Sequence, residues 1–286
     1  MRFALTILFA LGAAGAGGFA AQPAGDGLTA DQIVERNVAA RGGAEAWRNI
    51  EKMAWTGHIE SVSSSAPIPF LMLFKRPETT RFEVIAQGQH SARIFDGSKG
   101  WKLKPSSAGI PEVKDYTTEE VRFARDAAGL DGPLMEYRTK GVGIERAGRN
   151  VIEGHSALGL RVTLPSGQVQ LHWIDASSFL ELRYDRPTRD SAGRSGTVSV
   201  YYRDYQTLQG LTLPMTIETT GAPGQPSDKM VIERIALNPE LDPAQFADPH
   251  LPVPRHHGVI VDTTKPPPPA FPGPAPAAAP NRRDPP

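Results

Sequence analysis

Short segments in which apolar and polar residues alternate recur along most of this chain and restrict its fold more than any other feature. The clearest example is Trp101-Lys102-Leu103-Lys104, which follows a turn rich in glycine. A period of two places successive side chains on opposite faces of a β-strand, so that one face packs and the other meets water. About ten such segments, interrupted by one helical stretch, predict a long antiparallel sheet that must bend or close.

The alternation also divides the side chains between the two faces of the predicted sheet. We expect the apolar set to face the helices and the polar set to face solvent. The residues expected on the helix-covered face are Trp101, Leu171 and Trp173, and those expected outside are Lys102, Gln170 and His172.

Two capping boxes mark the starts of helices. Thr29-Ala30-Asp31-Gln32 and Thr117-Thr118-Glu119-Glu120 each place a threonine three residues before a side chain that can reach back to the backbone. Apolar residues follow at helical spacing in both segments. Each predicted helix therefore has an apolar face that must cover another element.

The two ends of the chain differ in composition from its centre. Arg2, the apolar run Phe3–Leu11 and the small-residue pattern around Ala20 are typical of a secretory signal. The expected organisation is a signal peptide at 1–21, a linker at 22–28, one folded domain at 29–261 and a disordered Pro/Ala-rich tail at 262–286.

Charge and cysteine content narrow the classes of partner. The chain has 31 lysines and arginines against 31 aspartates and glutamates, so no basic excess favours nucleic acid. It contains no cysteine, which excludes disulfides and a lipid-modified cysteine after the signal. We therefore expect an exported protein that is soluble in the periplasm.

The motifs that could carry chemistry are weak. Segment 154–158 reads Gly-His-Ser-Ala-Leu and lacks the final glycine of a hydrolase nucleophile elbow, and its flanks predict strand, turn and strand. His250 with His256 and His257 matches no metal-ligand spacing, which favours solvated loop histidines. No catalytic residue, metal ligand or cofactor is predicted.

One strand is apolar on both faces. Pro69–Phe74 reads Pro-Phe-Leu-Met-Leu-Phe, which is more apolar than a one-sided sheet requires. One face can pack in the core, and the other needs a helix, a partner or a ligand. We expect a ligand cavity between the N-terminal helix and the concave face of the sheet, with simple coverage by a helix as an equal alternative. The residues expected to line it are Trp55, Phe70, Met72, Phe74, Phe82 and Met215.

Several strings resemble the LolA/LolB-like superfamily, and within it the exported outer membrane lipoprotein-sorting proteins. They are Ala39–Trp47, Phe95–Trp101, Trp173–Asp175 and Tyr205-x4-Gly210-Leu-Thr-Leu-Pro214, and the resemblance spans about Thr29 to Asp248. It implies a mainly β, α+β fold: an incomplete, strongly curved antiparallel β-barrel of about ten to eleven strands covered by amphipathic helices.

The resemblance also implies a function. It suggests a non-catalytic periplasmic carrier or chaperone that holds lipoprotein acyl chains, or another hydrophobic ligand, in the half-barrel, with transient membrane contact. Two alternatives remain open at this point. One is a periplasmic sensor or envelope-assembly module that binds a protein partner, and the other is an unrecognised hydrolase.

Overall fold

The computed structural model describes residues 27–250, except for 63, 87, 107–110, 190–194 and 222–226. The expectations for the signal peptide, for most of the linker and for the Pro/Ala-rich tail lie outside these residues. Within them, no helix combines the length and the apolar character needed to cross a membrane.

Three α-helices and one short 3₁₀ turn accompany the sheet. They are α1 (Ala30–Ala40), α2 (Ala44–Arg48), α3 (Thr118–Ala127) and the 3₁₀ turn Pro243–Phe246. Both predicted capping boxes are present, with Thr29 accepting from Gln32 in α1 and Thr117 accepting from Glu120 in α3. Each box satisfies backbone donors that the first helical turn would otherwise leave unpaired.

The described residues form one antiparallel sheet of 13 strands. The strands are β1 (Lys52–Ser61), β2 (Ile68–Lys75), β3 (Thr79–Ala86), β4 (Gln89–Phe95), β5 (Gly100–Lys104), β6 (Glu112–Asp115), β7 (Gly143–Ile152), β8 (His155–Thr163), β9 (Val169–Asp175), β10 (Glu181–Arg189), β11 (Ser195–Leu208), β12 (Leu211–Thr220) and β13 (Asp228–Leu237). The number exceeds the expected ten to eleven.

The sheet consists of two meanders joined at one long-range pairing. Strands β1 to β6 pair in chain order, as do β7 to β13, and β1 pairs with β13 to give the order β6-β5-β4-β3-β2-β1-β13-β12-β11-β10-β9-β8-β7. The sheet curves strongly but does not close, so β6 and β7 are its edges. This is the predicted incomplete, strongly curved antiparallel barrel.

The β1–β13 pairing contains a bulge that requires a glycine. The register shifts between Thr56 and Gly57, where Glu233 is the extra residue of β13. A Cβ atom at Gly57 would lie 2.0 Å from the carbonyl oxygen of Val231. Such bulges increase the local twist and bend a sheet. Gly57 therefore permits close contact of the two meanders where they join.

The helices lie on one face of the sheet, which we call the inner face. Ile33 and Val34 of α1 pack on a buried cluster of β8 and β9 that includes Leu158, Leu160 and Ile174. Trp47 of α2 packs on a second buried cluster, which contains Met53, Phe74, Leu211 and Leu213. These contacts bury the apolar face that α1 was expected to present, and they bury Trp47 of α2.

Helix α3 bridges the two ends of the open sheet. Lys102 of β5 donates to Glu120 of α3 at 2.7 Å. At the other end of the helix, the backbone N–H of Ser166, in the β8–β9 turn, donates to Asp126 at 3.3 Å, and Arg122 donates to the Ser166 carbonyl. The helix thus connects strands that neighbour opposite edges, while its own residues remain only partly buried.

The predicted assignment of faces was wrong at Trp101, Leu171 and Trp173. Trp173 and Leu171 pack with Ile152, Ala157 and Leu182 on the outer face, whereas His172 and Gln170 lie on the inner face. Trp101 likewise lies on the outer face, because the next residue, Lys102, points to the inner face and contacts α3. The two tryptophans are nevertheless buried, and Trp173 packs against side chains of neighbouring strands on the outer face.

The C-terminal segment covers part of the outer face. The carbonyl of Gln245, in the 3₁₀ turn, accepts from Arg81 of β3 at 3.0 Å, and Phe246 is buried. His250 reaches Asp115 of β6, which pairs directly with Trp101. Arg81, Asp115 and Trp101 share the outer face, so the chain crosses that face above the first meander.

Candidate functional site

The six residues expected to line a cavity lie together on the inner face, and we call them the apolar strip. Register pairs Trp55 with Met72 and Met72 with Phe82 across β1, β2 and β3. Met215 of β12 packs into the same cluster as Phe70. The strip thus comprises Trp55, Phe70, Met72, Phe74, Phe82 and Met215.

Two of the strip residues are buried and four are only partly buried. Phe70 and Phe74 have about the same low exposure as the core, while Trp55, Met72, Phe82 and Met215 each retain accessible surface. The Trp55 and Phe74 rings meet edge to face with centroids 5.0 Å apart, and the Phe70 and Phe82 rings are 6.2 Å apart. These contacts are favourable geometries for aromatic pairs and fix the orientation of the strip.

Helix α1 does not cover the apolar strip. It packs on β7, β8 and β9, whereas the strip lies on β1, β2, β3 and β12. Helix α1 therefore cannot form one wall of a cavity at these six residues, as the prediction required. The nearest helical cover is α2, whose Trp47 joins the cluster around Phe74.

Two cavities in the described part of the chain lie away from the strip. One of about 260 Å³ lies between α1 and segment 134–138 and is lined by Val34, Val38, Leu134 and Met135 among others. The other, of about 310 Å³, lies at the end of β1 beside Glu60, Glu218 and Lys229. Neither contains a residue of the apolar strip.

Trp55 carries an unpaired polar atom within the strip. Its indole Nε1 is buried and has no hydrogen-bond partner among the described residues. Trp47, by contrast, donates from Nε1 to the carbonyl of Arg41 at 2.9 Å. Buried donors in folded proteins are nearly always paired, so Trp55 is an exception within a surface that is otherwise apolar.

Beyond Met215 the inner face becomes polar, in a row of aromatic residues that we did not predict as functional. Tyr202 of β11 pairs with Ile217 of β12, two residues from Met215. The Tyr202 ring lies 6.0 Å from Tyr184 of β10, which stacks on His172 of β9 at 5.3 Å. We call Tyr202, Tyr184 and His172 the aromatic row. No motif in the sequence singled out either tyrosine.

Glu181 organises the polar side of the aromatic row. Its carboxylate contacts His172 Nδ1 at 2.5 Å, and the other ring nitrogen of His172 contacts Gln170 at 2.9 Å. Tyr205 donates to the backbone carbonyl of Glu181 at 2.8 Å. Burial raises the pKa of Tyr202 well above its ordinary value, and the charge of Glu181 raises it further. The phenol of Tyr202 therefore stays protonated.

The weak catalytic motif does not form an elbow. Strand β7 ends at Ile152 and β8 begins at His155, so segment 154–158 is part of a hairpin. His155 contacts the carboxylate of Asp175 at 3.0 Å, and Asp175 also accepts hydrogen bonds from Ser177 and Ser178. These contacts hold the β9–β10 turn. Among the described residues, no group of three or more acidic or histidine side chains could hold a metal ion.

The geometry defines a class of protein: an open half-barrel with helices on its inner face and a partly exposed apolar strip beside them.

No protein-family model matches the chain, and no curated protein matches it. Solved structures are similar. A LolA superfamily protein from Nitrosomonas europaea matches 78% of this chain and 100% of its own length at 15% identity, with a TM-score of 0.53.

Two further structures have the same architecture. A DUF1329 family protein from Desulfovibrio piger matches 78% of this chain and 99% of its own at 13% identity, with a TM-score of 0.54. A domain from Vibrio parahaemolyticus, described as an outer membrane lipoprotein-sorting protein domain, matches 76% and 95% at 12% identity, with a TM-score of 0.50. The chain has the LolA-like fold that its sequence strings predicted.

Proposed function

We propose that this chain is a non-catalytic periplasmic carrier or chaperone that binds an acyl chain of a lipoprotein, or a similar hydrophobic ligand, on the apolar strip. The observation that carries the proposal is the accessible apolar surface of Trp55, Met72, Phe82 and Met215 on the inner face. Exposed apolar surface that is contiguous, rather than scattered, is typical of ligand and partner sites.

Apolar burial on the strip would provide affinity without any covalent step. Apolar burial is worth about 25 cal/mol per Å². A lipid tail that buried a few hundred Å² would gain several kcal/mol by this measure, before the costs of association. Methionines at positions 72 and 215 suit this role, because their flexible thioether side chains adapt to irregular ligands.

The periplasmic part of the proposal is supported by two observations. The N-terminal sequence has the three-part pattern of a secretory signal. The similar domain from Vibrio parahaemolyticus is described as an outer membrane lipoprotein-sorting protein domain. Cargo of that kind would present acyl chains to the strip.

The experiment begins with the mature protein purified from the periplasm without detergent. We expect its solvent extract, analysed by mass spectrometry, to contain acyl lipids in near-stoichiometric amount. A fluorescent fatty acid should bind the delipidated protein and be displaced by the extracted lipid. An extract without lipid, together with no uptake of the fluorescent fatty acid, would contradict the proposal.

Matched variants locate the site. Met72→Glu places a charge on the strip and should reduce fatty acid uptake at least tenfold, because charge is disfavoured against an acyl chain. Ile85→Glu makes the corresponding change on the outer face of β3, where Ile85 is 37% exposed, and should bind normally. Met215→Gln, a neutral change of similar length, covers the case in which Met72→Glu fails to fold. Equal uptake by all three variants would place the ligand elsewhere.

A further inference from the structure

Tyr202 stands at the point where the inner face changes from apolar to polar. On its β12 side lie Ile217, directly opposite, and Met215, one inward position along the strand. On its β10 side lies the Tyr184 ring at 6.0 Å. Side chains directly opposite across a strand pair are about 5 Å apart at Cβ. An acyl chain that lies on the apolar strip with its carbonyl end towards β11 would place its first polar group beside Tyr202.

The hydroxyl of Tyr202 is the free one among the three tyrosines that lie near Glu181. Tyr205 donates to the Glu181 carbonyl at 2.8 Å, and the hydroxyl of Tyr184 interacts with Arg186. Within the described residues, Tyr202 Oη has no hydrogen-bond partner, yet the ring is only partly buried and the oxygen is not sealed from solvent. A donor in this position is available to a ligand.

The surroundings favour a neutral acceptor over a charged one. Glu181 is the acidic group whose charge acts on Tyr202, and it would repel a carboxylate. The cations nearby are engaged: Arg41 donates to the Asp131 carbonyl at 2.9 Å and lies over the Trp47 ring, and Arg186 interacts with Tyr184. A carbonyl oxygen satisfies a phenol donor without adding charge.

We propose that Tyr202 Oη donates a hydrogen bond to the carbonyl of an esterified acyl chain whose tail lies on the apolar strip. This inference rests on the proposed function and narrows its ligand class to acyl esters. The hydroxyl selects for the carbonyl, while the strip supplies affinity for the chain. Tyr202 is thus a specificity-determining residue of the site.

The test compares two probes that differ only in the carbonyl. Monopalmitoylglycerol and its ether analogue hexadecylglycerol have the same headgroup and the same chain length. Each displaces a fluorescent fatty acid from the delipidated mature protein. We expect the ester to bind about fivefold more tightly than the ether, which is what one additional hydrogen bond gives. In Tyr202→Phe the two probes should bind equally, with the affinity for the ether unchanged.

The control is Tyr201→Phe, one residue away on the outer face, where Tyr201 lies beside Arg183 and Arg203. It should keep the fivefold preference. Equal binding of ester and ether by the wild type, or an undiminished preference in Tyr202→Phe, would overturn the assignment of Tyr202 while leaving the carrier function intact. Failure of both probes to bind would instead contradict the proposed function itself.

Discussion

The guanidinium of Arg76 donates a hydrogen bond to the carboxylate of Asp131 at 2.9 Å. Arg76 directly follows β2, and Asp131 lies in the segment after α3. The same Arg76 donates to the backbone carbonyls of Trp47 and Ile50. Lys140 donates to the second oxygen of Asp131, whose side chain is 2% exposed. This network joins β2, α2 and the segment leading to β7, and so fixes the cover of the inner face next to the apolar strip.

Asp131→Asn should destabilise the protein by about 3 kcal/mol. Removing one partner of a buried ion pair leaves the other charges uncompensated, which typically costs 3–5 kcal/mol. We expect a cost at the lower end of this range because the side chains of Arg76 and Lys140 are partly exposed to solvent. Urea denaturation measures the loss. Asp115→Asn, at a well exposed ion pair, is the control and should change stability little. If Asp131→Asn lowers the free energy of unfolding by less than about 1 kcal/mol, the network contributes little to stability.

Acid should weaken the β9–β10 turn in a defined pH range. Burial by itself raises the pKa of Asp175, but hydrogen bonds from Ser177 and Ser178 outweigh it and lower the pKa to about 2. The folded state therefore binds this proton less readily than the unfolded state. Its contribution of about 2 kcal/mol is present above pH 4 and is lost as the pH falls towards 2. Asp175→Asn should be less stable at pH 7 and should show a shallower loss between pH 4 and 2. Parallel curves for the two proteins would exclude this role.

The parts of the fold that depend on neighbouring residues could be predicted from the sequence. Both capping boxes formed, because Thr29 and Thr117 act on residues three positions away. Successive strands pair with each other through short turns, so the two meanders were also predictable. The β1–β13 pairing joins Met53 to Leu237 and depends on the whole fold. No local pattern contains that information.

The choice of face could not be predicted, for a physical reason. A period of two shows that Trp173 and His172 point in opposite directions, but it does not show which direction the helices cover. Both faces are covered here in places, so a buried tryptophan fits either one. His172 is buried on the inner face with a 3% exposed side chain, because Glu181 and Gln170 satisfy both of its ring nitrogens. In the sequence alone, a buried polar residue with such partners cannot be distinguished from a residue that faces solvent.

The apolar segment Pro69–Phe74 indicated an apolar surface, and its residues Phe70, Met72 and Phe74 do lie with the other three strip residues on the inner face. Their role in ligand binding stays a prediction. The aromatic row could not be predicted, since a tyrosine at an alternating position is equally compatible with core packing. What distinguishes Tyr202 from Tyr184 and Tyr205 is the partner of its hydroxyl, and that depends on contacts between strands.

Trp173 should behave as a packed residue of the outer face. Its side chain is 6% exposed, and its Nε1 donates to Asp185 at 2.9 Å. Trp173→Ala should cost about 3–5 kcal/mol through lost packing. Trp173→Phe keeps part of the ring system and should cost less, about 2 kcal/mol, from the lost hydrogen bond and some lost packing. Thermal and urea unfolding of both variants measure these values. Neither variant should change fatty acid binding, and reduced binding would show that the outer face influences the strip.

Trp55→Phe should leave the stability of the protein unchanged or raise it slightly. The unpaired Nε1 of Trp55 imposes a desolvation cost of about 1–3 kcal/mol, which phenylalanine removes, while the smaller ring loses some apolar contact with Met72 and Phe74. The two effects are of similar size and opposite sign. Urea denaturation of the ligand-free protein gives the difference.

The same substitution at Trp47 is the matched control. Trp47 is 1% exposed and its Nε1 is paired with the Arg41 carbonyl, so Trp47→Phe loses both packing and a hydrogen bond. It should cost about 2 kcal/mol from the two losses together, although the Arg41 carbonyl keeps the backbone N–H of Thr212 as a donor. Equal losses at the two tryptophans would mean that Trp55 Nε1 has a partner in solution. Unequal losses, with Trp55→Phe near zero, would mark the strip as a surface whose polar group is not satisfied by the protein alone.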